Sequence, residues 1–356
     1  MDLQKSNGLM ALVAYGASDI YLHGNPQISI FQDCFKRTTN SSFTYNVIDF
    51  YKNNNNSYSC VIENNKINAD LLGSCYLSIV LKNILSTGEK NNLYNIIKNI
   101  SVKIADNQET LTGDTLEVIA EQFLNKTKVE YEDLNIIFPL PFYFTRNHNS
   151  YLPIIAIQLL ETRFDCVFND AISNNIEKVQ LLYKSIYLDI TERKLFKNIN
   201  ENVFDITETT NYENIHIVSN SKDEYIKHSI ILDFTHPVKD IRIFIKSNLV
   251  EECVGQINIR LNNQDKPHIS LNALMAKKII PRQLYNIENK KSIYYIPFCQ
   301  DPCSLRYRQT SQINFNRIDK AILEIYLKPS IYNISIIAQY INVMRYSNGL
   351  CDFINI

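Results

Sequence analysis

Residues 234–245 read FTHPVKDIRIFI. After His236-Pro237, three isoleucines, Ile241, Ile243 and Ile245, fall on every second position, with Arg242 and Phe244 between them. Successive side chains of an extended chain point to opposite faces, so this period predicts a β-strand whose isoleucine face is buried. The same period returns at Ile100, Val102 and Ile104, at Ile257, Ile259 and Leu261, and at Leu323, Ile325 and Leu327. Each run alternates with polar or bulky neighbours such as Lys103, Arg260 and Glu324. The runs lie in both halves of the chain, and clusters of Asn, Asp, Pro and Gly separate them. An all-β chain of antiparallel sandwiches is therefore predicted, each sheet burying one face against another.

The chain has 356 residues, 45% hydrophobic and 21% charged, enough for one large or two medium domains. Its net charge of −1 gives no basic excess for phosphate backbones, so direct nucleic-acid binding is not expected. The 8 cysteines are scattered; only Cys299 and Cys303 are close, and no histidine flanks them. A zinc site needs four ligands at short spacing, so free, buried thiols in a reducing compartment are expected, with no metal and no cofactor. There is no glycine-rich phosphate loop, no G-x-S-x-G and no H-E-x-x-H, and the 6 histidines are spread from His23 to His268. Glu130, Glu132 and Asp133, like Glu251-Glu252, read as solvated strand ends. No catalytic residue is predicted, and the chain is not expected to be an enzyme.

The N-terminus reads differently. Leu9, Leu12, Val13 and Tyr15 are spaced as in a short helix. The pattern breaks at His23-Gly24-Asn25-Pro26 and resumes as a strand, with Ile28 and Ile30 alternating with Gln27 and Ser29. Asp2 accompanies Lys5, so there is no basic n-region, and Gly16, Asp19 and His23 interrupt the apolar run, which suits neither a signal peptide nor a membrane span of ~18 apolar residues. Residues 1–26 therefore read as a retained helical arm.

A few inserted helices are expected. Residues 113–124 form the clearest, with Asp114 as cap, Glu117 three residues on, and an apolar face of Leu116, Ile119, Ala120 and Phe123. Another follows Asp189. Residues 192–210 are polar without alternation and read as the linker between two halves. In residues 138–164, Pro139 and Pro141 cannot both occupy a central strand, Arg146-Asn147-His148-Asn149 reads as a turn, and residues 155–160 read as a strand buried on both faces.

Six blocks, in order, resemble the major capsid protein family of the nucleocytoplasmic large DNA viruses: iridoviruses, phycodnaviruses, mimiviruses and asfarviruses. They are LMALVAYGASDIYLHGNPQISIF (9–31), GDTLEVIAEQFL (113–124), FPLPFYFTRNHNSYLPIIAIQ (138–158), IYLDITERKLF (186–196), FTHPVKDIRIFI (234–245) and INFNRIDKAILEIYL (313–327). The residues that carry the match include Pro139, Pro141, Phe142, Arg146, Asn147 and Pro153 in the first half. In the second half they are His236, Pro237, Lys239, Asn314, Phe315 and Arg317. The chain departs from the family where Thr310-Ser311-Gln312 replaces a Pro-Ser-Gly turn, where Tyr143 replaces Trp and Thr145 replaces Cys, and in its shorter length, as a divergent or minor paralogue would.

The resemblance implies a double jelly roll: two eight-stranded antiparallel sandwiches side by side, residues 27–200 and 201–356, behind an arm of residues 1–26. It implies a structural shell protein that self-associates into homotrimers of pseudo-hexagonal outline, assembled in the host cytoplasm and located in the virion capsid. Neighbouring copies and minor capsid proteins would be its partners. The arm, through Leu9, Leu12, Val13, Tyr15 and the turn at Asn25-Pro26, would serve assembly and meet an inner membrane layer. Jelly rolls also build lectins and hydrolases, so a carbohydrate-binding sandwich is the alternative, although no sugar-stacking platform or catalytic motif stands out.

Overall fold

The computed structural model describes residues 16–29, 31, 37–54, 56–85, 93–123, 129–218, 225–247, 253–262, 264–289, 292–303 and 311–354. By its contacts the chain divides into two units, Met1–Asn40 and Ser41–Ile356.

In the first unit, helix α1 (Ala17–His23) opens at Gly16, whose N–H donates to Asp19 Oδ2 at 2.8 Å. It closes at Gly24, whose N–H donates to the Ile20 carbonyl at 2.9 Å. A Cβ on Gly24 would lie 2.4 Å from that carbonyl oxygen, so only glycine fits. Asn25 follows with φ 50°, a left-handed conformation that asparagine tolerates. The turn thus falls where the sequence places it. The strand expected over residues 27–30 does not form at Gln27, Ile28 or Ser29, since a lone extended segment has no neighbour to pair with. Leu9, Leu12, Val13, Tyr15 and Ile30 lie outside the described residues.

The second unit holds four antiparallel sheets. The principal strands of residues 41–188 are β1 (Ser41–Asp49), β2 (Ser57–Glu63), β3 (Leu71–Leu81), β4 (Ile97–Ile104), β5 (Asn107–Thr112), β6 (Asn135–Leu140), β7 (Glu161–Phe168) and β8 (Ile176–Leu188). Their order is β1-β8-β3-β6 in one sheet and β2-β7-β4-β5 in the other. Residues 201–347 repeat the plan with β9 (Glu201–Ile217), β10 (Ile226–Ile231), β11 (Pro237–Ser247), β12 (Val254–Leu261), β13 (Ile269–Asn272), β14 (Ile293–Pro297), β15 (Ala321–Leu327) and β16 (Ser330–Ser347). Their order is β9-β16-β11-β14 and β10-β15-β12-β13. Each sandwich has eight principal strands; the short strands Tyr51–Lys52, Glu130–Glu132, Ile313–Asn314 and Leu350–Phe353 extend them.

The alternating runs are strands, and their apolar sides form the cores. Ile100, Val102 and Ile104 pack in the first, and Ile243, Ile245, Ile257, Ile259, Leu323 and Ile325 in the second, all buried. Strand β11 differs from its expected single buried face. Phe244 and Arg242 are buried too, because Val118, Ile280, Tyr285 and Ile287 pack on that side, where Tyr295 and Ile337 of the neighbouring strands flank Arg242.

Helix α2 (Gly113–Phe123) forms as expected, but its cap is Thr112, whose Oγ1 accepts from Thr115 N–H at 3.3 Å. Asp114 instead pairs with Lys246 of β11. Gly113 is required by a close approach, since a Cβ there would lie 2.4 Å from the Tyr94 carbonyl oxygen. Leu116 and Ile119 face the first core, while Val118 packs with Phe244 and Tyr285. Helix α3 (Ile190–Lys197) is capped by Asp189, whose Oδ1 accepts from Ile190 N–H at 2.7 Å. The polar stretch 192–210 is therefore the end of α3, three connecting residues, and the start of β9, in which Phe204 and Ile206 are buried. Residues 155–160 are not a strand. Pro153 leads into a 3₁₀ turn, Ile154–Ala156, and β7 begins only at Glu161. Pro139 sits in β6 opposite Tyr76 of β3, and among the described residues the short strand Glu130–Glu132 pairs β6 only up to Ile137, so the proline's missing N–H interrupts no described ladder bond. Of the seven described cysteines six are buried, and Cys34 lies outside the described residues.

Candidate functional site

The densest cluster of buried charge lies where the two halves of the second unit meet. After β6, Pro141 stops the strand and the chain folds back, with Thr145 N–H donating to the Phe142 carbonyl at 2.8 Å and Thr145 Oγ1 to the Leu140 carbonyl at 2.5 Å. This turn delivers Arg146 inward. Its Nε donates to the Pro141 carbonyl at 2.9 Å, and its Nη2 to Glu109 Oε1 at 2.8 Å and to Thr207 Oγ1 at 2.6 Å. Nη1 reaches the Asp205 carbonyl at 2.5 Å. Glu109, on β5, accepts in addition from Tyr143 N–H at 2.8 Å and Thr207 N–H at 3.0 Å. The side chains of Arg146 and Glu109 are 2% and 1% exposed. A pair from the first half thus grips the backbone of β9, the opening strand of the second.

The network continues into β11 and β16. Asp205 Oδ2 accepts from Lys239 Nζ at 2.9 Å and from Gln339 Nε2 at 3.3 Å. Gln339 Oε1 accepts from Arg242 Nη2 at 2.5 Å, and Arg242 pairs with Asp240 Oδ2 at 3.1 Å. Tyr285 closes the chain by donating its hydroxyl to Asp240 Oδ2 at 3.0 Å.

Burial pushes the Glu109 carboxyl above its usual range, and Arg146 with two backbone N–H groups pulls it back only in part. Burial likewise lowers Arg146, against the pull of Glu109 and Asp205. Burial also opposes the charge on Arg242, but Asp240, Tyr285 and Tyr295 outweigh it and hold the proton more firmly than usual. Pairs this deep add little net stability, because desolvation offsets attraction, yet loss of one partner is costly. Their effect is to fix geometry: the bonds of Arg146 and Glu109 to Asp205 and Thr207 are satisfied only when the two sandwiches keep one relative position, and the remaining bonds brace the second sandwich behind them.

Of the residues singled out in the sequence, Arg146 and Lys239 meet around Asp205, and Pro141 supplies an acceptor. Phe142 is enclosed by Phe144 and Phe164, with ring centroids 6.2 and 5.9 Å away. Asn147 starts the 3₁₀ turn His148–Ser150, its N–H donating to Ser150 Oγ at 3.2 Å. His236 stacks on Tyr340 at 4.3 Å, and Pro237 pairs with Asn314. Phe315 N–H donates to the His236 carbonyl at 3.3 Å, and its ring packs on Phe234 at 5.8 Å. Arg317 is exposed. The sequence does not single out Glu109, Asp205, Thr207, Asp240, Tyr285 or Gln339. One signal was available: Asp240 and Arg242, two apart on a strand, must share the face opposite Ile241 and Ile243. Among the described residues no three His, Cys, Asp or Glu side chains converge as a metal site, and no helix is long and apolar enough to cross a membrane.

Residues 29–194 match the family model of the major capsid protein N-terminus. The major capsid protein of Pyramimonas orientalis virus is 29% identical over 267 residues, covering 66% of this chain and 64% of the relative. Capsid protein 1 of Acanthamoeba polyphaga mimivirus is 26% identical over 294 residues, covering 66% of this chain and 48% of the relative. The chain thus spans about half to two thirds of these curated relatives. Among solved structures, VP54 of PBCV-1 superposes with a TM-score of 0.75 at 17% identity, over 91% of this chain and 99% of that one. Two sandwiches of repeated strand order, sequence similarity through the first of them, and this superposition lead to one conclusion: the chain is similar in sequence to viral major capsid proteins and has a double jelly-roll fold.

Proposed function

We propose that the chain is a structural shell protein whose copies self-associate into trimeric, pseudo-hexagonal capsomers of an icosahedral virion. The observation that carries this reading is the buried ionic seam from Glu109 to Tyr285. Two lobes of equal strand order, held in one relative position, are what a trimer needs to present six equivalent lobes. The similarity to viral major capsid proteins supports the same reading. The working division is an arm of residues 1–26, a first lobe of 27–200 and a second of 201–356. The chain acts without catalysis, in the capsid, after assembly in the host cytoplasm. Its partners are further copies of itself and minor capsid proteins, with no direct hold on nucleic acid. The arm, through Leu9, Leu12, Val13, Tyr15 and the Asn25-Pro26 turn, reaches a neighbour or the membrane layer beneath the shell.

Light scattering on the purified full chain tests this. A stable species with the mass of three chains is expected. A single-chain mass at every concentration would overturn the reading.

A further inference from the structure

The outer face of the β1-β8-β3-β6 sheet is apolar where it meets water. Phe43, Tyr45 and Val47 alternate along β1 and remain 57%, 58% and 54% exposed. Opposite Tyr45 and Val47 on the same face stand Lys184 and Leu182 of β8. Phe43 and Tyr45 touch edge to face at 5.9 Å, and Lys184 Nζ lies 4.0 Å over the Phe43 ring. Strand β1 is the edge of its sheet, and residues 41–48 carry no charge. Water-exposed edges are ordinarily guarded by lysine, proline or a bulge, so an unguarded apolar edge marks a surface that is covered in the working state. The two rings alone leave on the order of 200 Å² exposed, taking ~150–250 Å² for a whole aromatic side chain. That is about a quarter of the ~800 Å² each partner contributes to a standard interface.

The charges around this patch identify the partner. Asp49 follows two positions after Val47 on the same face, held by Lys178 Nζ at 3.1 Å and Gln180 Nε2 at 2.6 Å, with its side chain 61% exposed. Lys184 stands opposite Tyr45, two positions before Val47. Anion and cation therefore flank Val47 at equal register distance, roughly 7 Å to either side at ~3.3 Å per residue. A twofold axis through Val47 lays Asp49 of one copy against Lys184 of the other, and Val47 against Val47. We propose that this face is a twofold contact between two copies of the chain. The inference rests on the self-association reading and extends it. A self-complementary patch serves a twofold, whereas closing three copies into a ring takes head-to-tail surfaces. The contact therefore joins one trimer to the next.

Sedimentation equilibrium and cross-linking of the full chain test it. Val47→Cys under mild oxidation is expected to give a disulfide-linked pair of chains that the parent does not give. Asp49→Lys and Lys184→Asp should each weaken association between trimers at least tenfold, and the combined exchange should recover most of it, all with the trimer mass unchanged. If Val47→Cys gives no linked pair and neither charge reversal shifts association while trimers persist, the contact is wrong and the self-association reading stands. If the parent stays a single chain at every concentration, both fall.

Discussion

Arg146 cannot shed its charge in a protein interior, so its stability depends on Glu109. Glu109→Gln should therefore cost about 3–5 kcal/mol in urea unfolding, and replacing both, as Glu109→Gln with Arg146→Met, should cost clearly less than the two single changes added together. An additive double mutant would show that the pair does not act as a unit. Glu324 allows a pH test. Burial pushes its carboxyl up, but Lys227 at 3.0 Å and Arg260 at 2.9 Å outweigh it and hold it below the usual 4.5. A carboxylate depressed in the folded state contributes fully above its unfolded pKa and loses that contribution as pH falls through the folded one. The Tm gap between the parent and Glu324→Gln should thus be full at neutral pH and close as pH drops below 4.5; a gap that widens in acid contradicts the pairing. At this scale the sequence was only half legible. Arg146 and Lys239 stood out through resemblance, but their partners Glu109 and Asp205 are single acids with no pattern around them, and only the fold reveals that Glu109 is fully buried and Asp205 largely so.

Elements were easier to read where one face is wet. The isoleucine and leucine alternation located β4, β11, β12 and β15, and it predicts that Ile243→Ala and Ile325→Ala each cost about 2–5 kcal/mol, as both are fully buried. Losses below about 1 kcal/mol in equilibrium unfolding would mean that these faces are misassigned. Strand β9 escaped because its exposed half is Thr, Glu and Asn, which read as a linker, while within residues 201–210 the apolar Phe204 and Ile206 alone mark its buried side. Residues 155–160 misled for the converse reason. A run of apolar residues shows neither that a segment is extended nor that it is buried throughout: Pro153 and the bond from Ile155 N–H to the Asp70 carbonyl, 3.1 Å, hold a 3₁₀ turn in the core, and the chain then surfaces at Leu159, which is exposed. Helix α2 was legible in position but not in role, since its outward Val118 packs with Phe244 and Tyr285 of the second half, a contact no single-helix pattern can show.

For the whole molecule, the strand order of the first eight principal strands returns in the second eight, although no sequence repeat is visible. Strand order depends on which faces are apolar and where turns fall, and many sequences satisfy those conditions equally well. The described part of the arm exposes Ile20 and Tyr21, and a helix as short as α1 is marginal in water without a partner surface. A chain beginning at Gln27 should keep its melting temperature and fail to enter particles; a Tm many degrees lower would make residues 1–26 part of the folded body instead. The claim on which the rest depends is that two fixed lobes per chain build a six-lobed trimer. Negative-stain imaging of the purified full-length chain tests it most directly. Class averages with six lobes around a threefold axis are the expected result, and averages showing only isolated two-lobed particles would contradict it.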